Sequence, residues 1–397
     1  MSDSLIILGR LPALGIAELE SVCGGEPVEP VSNQAALLHV EPEAVDFKRL
    51  GGSVKLCKLL TTLDTTNWKE VEKYLIQSAP EHAQALPEGK MHLGLSAYGM
   101  NVGSKQLLAT GLSIKKAIQR ATTKSVRLVP NKSAELNAAQ VLHHRLTGET
   151  GWELVLVRSG NRTVLGQTTA VQDIDAYAAR DFDRPKRDAK VGMLPPKLAQ
   201  IIVNLAVAGA SPEPNTVVID PFCGTGVVLQ EALLMGYGVY GTDIEQRMID
   251  YTSQNLAWLS ERHHLPVQDF DLEAGDATTH SWSRAAIRFV ASETYLGRPF
   301  TAMPSGEVLA QTASECNVIL KKFLQNITPQ LQPGTRLCLA IPAWQIRPKE
   351  FKHLPLVDQI EELGYNQVRF KHVRDADLLY YRPDQIVARE LLVITRK

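Results

Sequence analysis

The chain has 397 residues, enough for two or three domains, and its formal net charge of −1 gives no overall bias toward a polyanionic partner. Five cysteines, at 23, 57, 223, 316 and 338, form no CxxC pair, so neither a zinc site nor a disulfide framework is indicated and a reducing cytoplasm is expected. The opening Met1-Ser2-Asp3-Ser4 has no basic n-region and no apolar run approaches about eighteen residues, so neither a signal peptide nor a membrane span is expected.

Residues 1–80 read as a small α+β domain. Residues 5–9 have the apolar run of a strand, and 14–22 have the spacing of an amphipathic helix with Glu18 and Glu20 on its polar side, stopped by Gly24 and Gly25. Strands at 35–40 and 54–59 and helices at 43–50 and 68–77 complete it. After a linker at 80–87, residues 81–172 form a second unit that begins with a strand at 91–97. Its helix at 104–122 offers Leu108, Leu112, Ala117, Ile118 and Ala121 for a buried stripe, with Lys105, Lys115, Lys116 and Arg120 elsewhere on the surface. A strand at 125–129 carries Arg127, Ser133 is placed to cap a helix through 146, and 152–157 with 163–167 reads as a closing strand pair.

Charge is spread unevenly between these regions. Residues 101–170 hold ten Lys or Arg against three Asp or Glu, whereas 201–350 hold ten against fifteen. Such a basic patch suits a phosphate-binding face and also suits a solvated helix surface, which makes Lys105, Lys115, Lys116, Arg120 and Arg127 candidate nucleic-acid contacts. The adjacent pairs His143-His144 and His263-His264 point to different faces and read as solvated helix ends, so no metal site is expected. Residues 173–191, with the dense charges of 180–188, read as a linker. The third domain is then 192–397, opened by a helix whose first turn holds Pro195 and Pro196.

The centre of that domain is Asp220-Pro221-Phe222-Cys223-Gly224-Thr225-Gly226. Apolar 217–219 make a short strand, the two glycines a tight turn that lets a ligand approach the backbone, and 227–235 a helix whose N-terminus offers free N–H groups. A second strand, 238–242, ends at Asp243, placed to accept ribose hydroxyls, with Ile244 after it. A third, 267–273, leads through Gly275 to Asp276 and Ala277, where a carboxylate can bond an adenine amino group. Strands at 287–291 and 335–341, helices at about 305–324 and 351–363, and paired strands at 365–373 and 387–395 follow. The fold class is therefore α/β, a parallel Rossmann-like sheet closed by a C-terminal β-hairpin. Residues 379–385 mix aromatics with arginine near that hairpin, a mixture that serves stacking on a base or packing in a core.

These three segments resemble motifs I, II and III of S-adenosylmethionine-dependent methyltransferases, in the branch that methylates exocyclic amino groups of nucleic-acid bases. Residues 192–200 resemble the motif X helix of the same family, and 7–10 with 17–20 resemble the opening of the tRNA guanosine N2-methyltransferases that carry a THUMP domain. The element order of 81–172 looks like that THUMP domain, an RNA-binding module. The resemblance implies S-adenosylmethionine as cofactor, held by Pro195, Asp220, Phe222, Cys223, Gly224, Thr225, Gly226, Asp243, Ile244, Asp276 and Ala277. It also implies N2-methylation of a guanosine in tRNA by a cytoplasmic enzyme, for which a monomer is the simplest form.

Motif IV in this family is an Asp, Asn or Ser followed by Pro-Pro and an aromatic residue, and it should follow 287–291. Here the slot reads Ser292-Glu293-Thr294-Tyr295. Both prolines are missing. Ser292 and Glu293 are alternative acceptors for a base N–H, and Tyr295 is the stacking partner for a flipped base. Two rivals stay open: a tRNA-binding protein that keeps the cofactor without catalysis, and methylation of adenine N6.

Overall fold

The computed structural model describes residues 3–188, 193–213, 216–265, 270–282, 287–300, 302–383 and 385–397. By contacts the chain forms two compact units, one of Met1–Pro12, Glu26–Lys48 and Gly52–Asp175, the other of Ala13–Gly25, Arg49–Gly51 and Ala176–Lys397.

The first unit holds strands β1 (Ser4–Leu8), β2 (Val28–Ser32), β3 (Ala35–Leu38), β4 (Ser53–Leu63), β5 (Lys90–Tyr98), β6 (Ser125–Leu128), β7 (Gly151–Ser159) and β8 (Arg162–Val171). They make a single sheet in the order β2-β3-β1-β4-β8-β7-β5-β6, so strands from both 1–80 and 81–172 share one ladder. The expected helix at 43–50 is instead two short 3-10 turns, Pro42–Ala44 and Phe47–Arg49, the first with a proline in its opening position.

In chain order the helices begin with α1 (Pro12–Cys23), α2 (Trp68–Gln84), α3 (Ser104–Ala121) and α4 (Ala138–His143). The buried stripe of α3 is Leu107, Thr110, Gly111, Ile114 and Ile118, about one residue round from the stripe expected. Gly111 sets this phase, because a Cβ there would lie 2.6 Å from Leu128, and Thr110 accepts a hydrogen bond from the Trp68 indole at 3.1 Å. Leu108 and Leu112 are consequently exposed beside Lys105 and Lys116. Helix α4 is shorter than expected and is capped by Asn137, not Ser133, in a reciprocal box with Gln140.

Within the sheet, Lys55 of β4 and Glu153 of β7 form an ion pair with side chains 2% and 0% exposed. Glu153 also accepts from Ser96 Oγ and Thr168 Oγ1, each at 2.6 Å, and Lys55 Nζ donates to the Leu136 carbonyl at 2.8 Å. Charge and lone pairs are thus answered on every side, the condition for burying an ion pair.

The second unit continues with α5 (Ile174–Phe182), α6 (Pro196–Val207), β9 (Val217–Asp220), α7 (Val227–Leu234), β10 (Gly238–Asp243), α8 (Gln246–His263), β11 (Phe270–Ala274), β12 (Phe289–Glu293), α9 (Gly306–Ile327), β13 (Arg336–Arg347), β14 (Glu350–Lys352), β15 (Tyr365–Gln367), β16 (Leu379–Tyr380) and β17 (Val387–Arg396). Its sheet runs β11-β10-β9-β12-β13-β17-β15. The first five strands are parallel, and β17 is antiparallel to both its neighbours. The strand order reverses between β9 and β12, the place where open α/β sheets take ligands.

Several expectations are corrected here. The charged stretch read as a linker begins with α5, and its Arg180 donates to Glu231 of α7 at 2.7 Å. The expected helix at 351–363 is strand β14 followed by a 3-10 run, Pro355–Leu363. Of the expected strand at 267–273, residues 267–269 lie outside the described residues, as do Gly192 and Asp384. Glu18 and Glu20 are buried, not solvated, because each carboxylate accepts from donors within the second unit. Glu18 accepts from Gly51 N at 2.9 Å and Asn204 Nδ2 at 2.8 Å, and Glu20 accepts from Lys371 N at 2.6 Å and His372 N at 2.9 Å.

Candidate active site

The glycine turn leaves β9 with Asp220 buried at its end. Asp220 Oδ1 accepts from Phe222 N at 3.2 Å and from Ser292 Oγ at 2.6 Å, so the first and fourth predicted segments meet at one carboxyl. Burial pushes the Asp220 carboxyl up to about 7, against the opposing pull of these two donors. Phe222 packs edge-on to Phe323, ring centres 5.2 Å apart, and Cys223 is buried with its thiol held well above its usual range by desolvation.

Gly224 and Gly226 both take positive φ, +51° and +83°. A side chain at Gly226 would strike Thr252 at 2.7 Å, whereas one at Gly224 would meet nothing within 4 Å. The turn is therefore packed on one side and open on the other. Two residues of α8 support it: Thr252 Oγ1 donates to Gly224 O at 2.8 Å, and Asn255 Nδ2 donates to Thr225 O at 2.9 Å. The same Asn255 amide bonds both the N–H and the carbonyl of Lys186, at 2.9 and 3.0 Å, and Asp188 pairs with Arg247 at 2.8 Å. Residues 183–188 are thus strapped along α8. Pro195 is the cap of α6, which starts at Pro196 as expected.

Asp243 ends β10 and is tied to the turn, accepting from Gly224 N at 3.0 Å through one oxygen and from Glu245 N at 2.9 Å through the other. Partial burial raises its carboxyl above the usual range. Each oxygen keeps lone-pair capacity for a diol, and Ile244 beside it is 72% exposed, an apolar surface left open next to an acid. Asp276 is exposed after β11, its Oδ1 accepting from Thr278 N and Oγ1 at 2.8 Å each, while Ala277 is buried in the core. Three carboxyls therefore sit at the ends of adjacent parallel strands around an open glycine turn. The arrangement fits an adenosine with a charged tail.

Strand β12 starts two residues later than expected and ends at Glu293. Alternation along it separates the two candidate acceptors. Ser292 has no exposed surface and turns to Asp220, whereas Glu293 Oε1 accepts from Arg389 Nε of β17. Thr294 is buried and bonded to Ala340 O, and Tyr295 is 44% exposed. Burial, Cys316 and Glu315 together raise the Tyr295 hydroxyl's pKa.

Of the basic candidates, Lys105, Lys116, Arg120 and Arg127 are exposed, Lys115 is half-buried, and none is in an ion pair among the described residues. Lys124, which shares in the positive count, is consumed by the Leu86 and Pro87 carbonyls at 2.6 and 2.8 Å. Tyr381 packs against Phe351, ring centres 5.2 Å apart, which is the core use of that aromatic stretch. Thr252, Asn255 and Arg389 were not singled out from sequence, since their roles come from elements far from the glycine turn.

Residues 184–352 match the family described as RMKL-like, methyltransferase domain. This part of the chain is a methyltransferase domain. The chain is also similar to tRNA (guanine(10)-N2)-dimethyltransferase of Methanothermobacter thermautotrophicus, 32% identical over 197 residues, or 49% of this chain and 52% of that protein. A protein of the same description from Pyrococcus abyssi is 28% identical over 177 residues, or 43% of this chain and 46% of that one. The chain thus spans about half the length of the curated relatives it matches. Its fold resembles that of TrmN from Thermus thermophilus along the whole of both chains, with a TM-score of 0.52 at 16% identity. The methyltransferase domain is Rossmann-like, and its reversed strand β17 lies inside the sheet, between β13 and β15. No helix among the described residues is long and apolar enough to cross a membrane.

Proposed function

We infer that the protein is an S-adenosylmethionine-dependent methyltransferase that modifies the exocyclic N2 of a guanosine in tRNA, acting in the cytoplasm. The carrying observation is the ring of carboxyls at the ends of β9, β10 and β11 around a turn open above Gly224. Gly224 and Gly226 would admit the donor, Asp243 its ribose, Ile244 and Asp276 its adenine, and Pro195, Asp220, Phe222, Cys223, Thr225 and Ala277 would shape the walls. When bound, the donor supplies a methyl group on a sulfonium, ready for in-line attack by an amine.

The base amine has its lone pair delocalised into the ring. An acceptor on its N–H draws the nitrogen toward tetrahedral geometry and takes the proton that leaves as the N–C bond forms. Glu293 is the acceptor we assign, because Ser292 is enclosed and already donating to Asp220. Tyr295, exposed two residues on, would stack on the base. Residues 81–172 would act as the THUMP-like module, with Lys105, Lys115, Lys116, Arg120 and Arg127 on the phosphate backbone.

The test is nucleoside mass spectrometry of bulk tRNA incubated with protein and donor. A methylated guanosine supports the reading, N6-methyladenosine replaces it with the adenine enzyme, and no modified nucleoside leaves a tRNA-binding protein.

A further inference from the structure

Four consecutive residues follow the sheet's switch point, and only two of them present a side chain to a ligand. Ser292 is enclosed against Asp220 and Thr294 is enclosed against Ala340, while Glu293 and Tyr295 retain accessible surface. Glu293 is the last residue of β12, in register with Ala340 of β13. Arg389 lies one strand further on, in register with Pro342. The two side chains, 15% and 8% exposed, join across β13 through Arg389 Nε and Glu293 Oε1. Glu293 Oε2 makes no hydrogen bond among the described residues. The Glu293 carboxyl is therefore fixed beside a buried guanidinium with one oxygen free.

The Watson–Crick edge of guanine carries two neighbouring donors, N1–H and the N2 amino group, beside the O6 acceptor. That of adenine pairs its amino donors with N1, an acceptor. A carboxylate offers acceptors only. It can take N1–H and N2–H of guanine side by side, but against adenine one oxygen would face the N1 lone pair with nothing between them.

We propose that Glu293 is the residue that selects guanine, its carboxylate accepting from N1–H and the amino group together, and that Arg389 is the positioning residue that fixes this carboxylate. The proposal rests on the methyltransferase reading above and adds to it the means of choosing the base. It also gives the missing prolines a purpose, since a rigid Pro-Pro step leaves no side chain to read the ring. A bidentate contact of this kind discriminates between bases by about tenfold or more.

The experiment uses the full chain and one tRNA transcript, made with guanosine or with 2-aminopurine riboside at the methylated position. The analogue keeps the amino group but replaces N1–H by an acceptor and lacks O6. Two ratios are read, single-turnover methylation and Kd from fluorescence anisotropy, for the wild type, Glu293→Gln, Arg389→Lys and Arg389→Met, with thermal unfolding as the folding check. The wild type should favour guanosine by about tenfold or more in both ratios. Glu293→Gln should lose rate on guanosine and bring both ratios to within about threefold, because an amide can turn its N–H toward the ring acceptor. Arg389→Met should narrow both ratios, and Arg389→Lys should restore part of the preference. An unchanged ratio in Glu293→Gln overturns the proposal whatever the rate does. Absence of methylation on any RNA strikes the methyltransferase reading instead, and the anisotropy ratio then still decides whether Glu293 reads the base.

Discussion

Two carboxylate–cation pairs, one chosen from each unit, are built on opposite plans. Glu153 in the first unit shares both oxygens among Lys55, Ser96 and Thr168, and Lys55 spends a further proton on Leu136 O. Glu293 in the second unit has one bonded oxygen and keeps some exposure. A network with every group answered is inert and stabilising, whereas one with an open acceptor at a sheet's carboxyl edge is ready for a donor. Burial of charge alone therefore marks neither structure nor function.

The comparison can be broken first where the energy is largest. Lys55→Met leaves Glu153 buried without its cation and should destabilise the first unit by about 3–5 kcal/mol, read by urea denaturation. By contrast, Glu293→Gln should shift the midpoint little, since solvent reaches that side chain. Equal losses at the two sites would erase the distinction drawn between them.

The next expected effect is on donor binding. Asp243→Ala removes the acceptor tied to the Gly224 amide and should weaken S-adenosylmethionine affinity by about tenfold or more in calorimetry, as a hydrogen bond to a charged group contributes about 1.5–3 kcal/mol. Reversing Lys115, Lys116 and Arg120 to Glu together should weaken tRNA binding, and flatten its dependence on salt, while leaving donor binding intact. RNA binding that survives this reversal would make the exposed side of α3 a solvated surface only.

The smallest effect is a dependence on pH. The Asp220 carboxyl is raised to about 7 by burial, so its contribution to stability is full below the unfolded value near 4 and is lost as pH rises through about 7. Asp220→Asn, which cannot ionise, should gain in thermal unfolding midpoint relative to the wild type across that window and level off above it. A constant difference from pH 4 to 8 would show that the carboxyl ionises freely in the folded state.

How much of this was legible in the sequence follows the range of each interaction. Asp220, Gly224, Gly226, Asp243 and Asp276 stand at strand ends set by short apolar runs, and strand, turn and acid can be read within a few residues of one another. The phase of α3 was not legible, because it turns on Gly111 meeting Leu128 and Thr110 meeting Trp68, contacts that periodicity does not weigh. Helix extents were overread at 43–50 and 351–363, where short 3-10 runs form instead. Glu293 was found as a departure from a motif. Its partner Arg389, 96 residues away, had no local signal.

Helix α1 carries a consequence for how the second unit comes into being. Its Glu18 is bonded to Asn204 across 186 residues, and Glu20 to His372 across 352. The second unit is thus opened by a helix that precedes most of the first unit in the chain and is closed by residues that follow it. During synthesis that helix must wait, with two acids whose distant donors do not yet exist, until Asn204 and His372 have been made. Such long-range closure is slow, since the entropy of a large loop is lost before its contacts form. A fragment that begins at residue 176 would omit α1 and leave Asn204 and the amides of Lys371 and His372 without their acceptors. It should be collected as aggregate unless the peptide spanning α1 is supplied in trans.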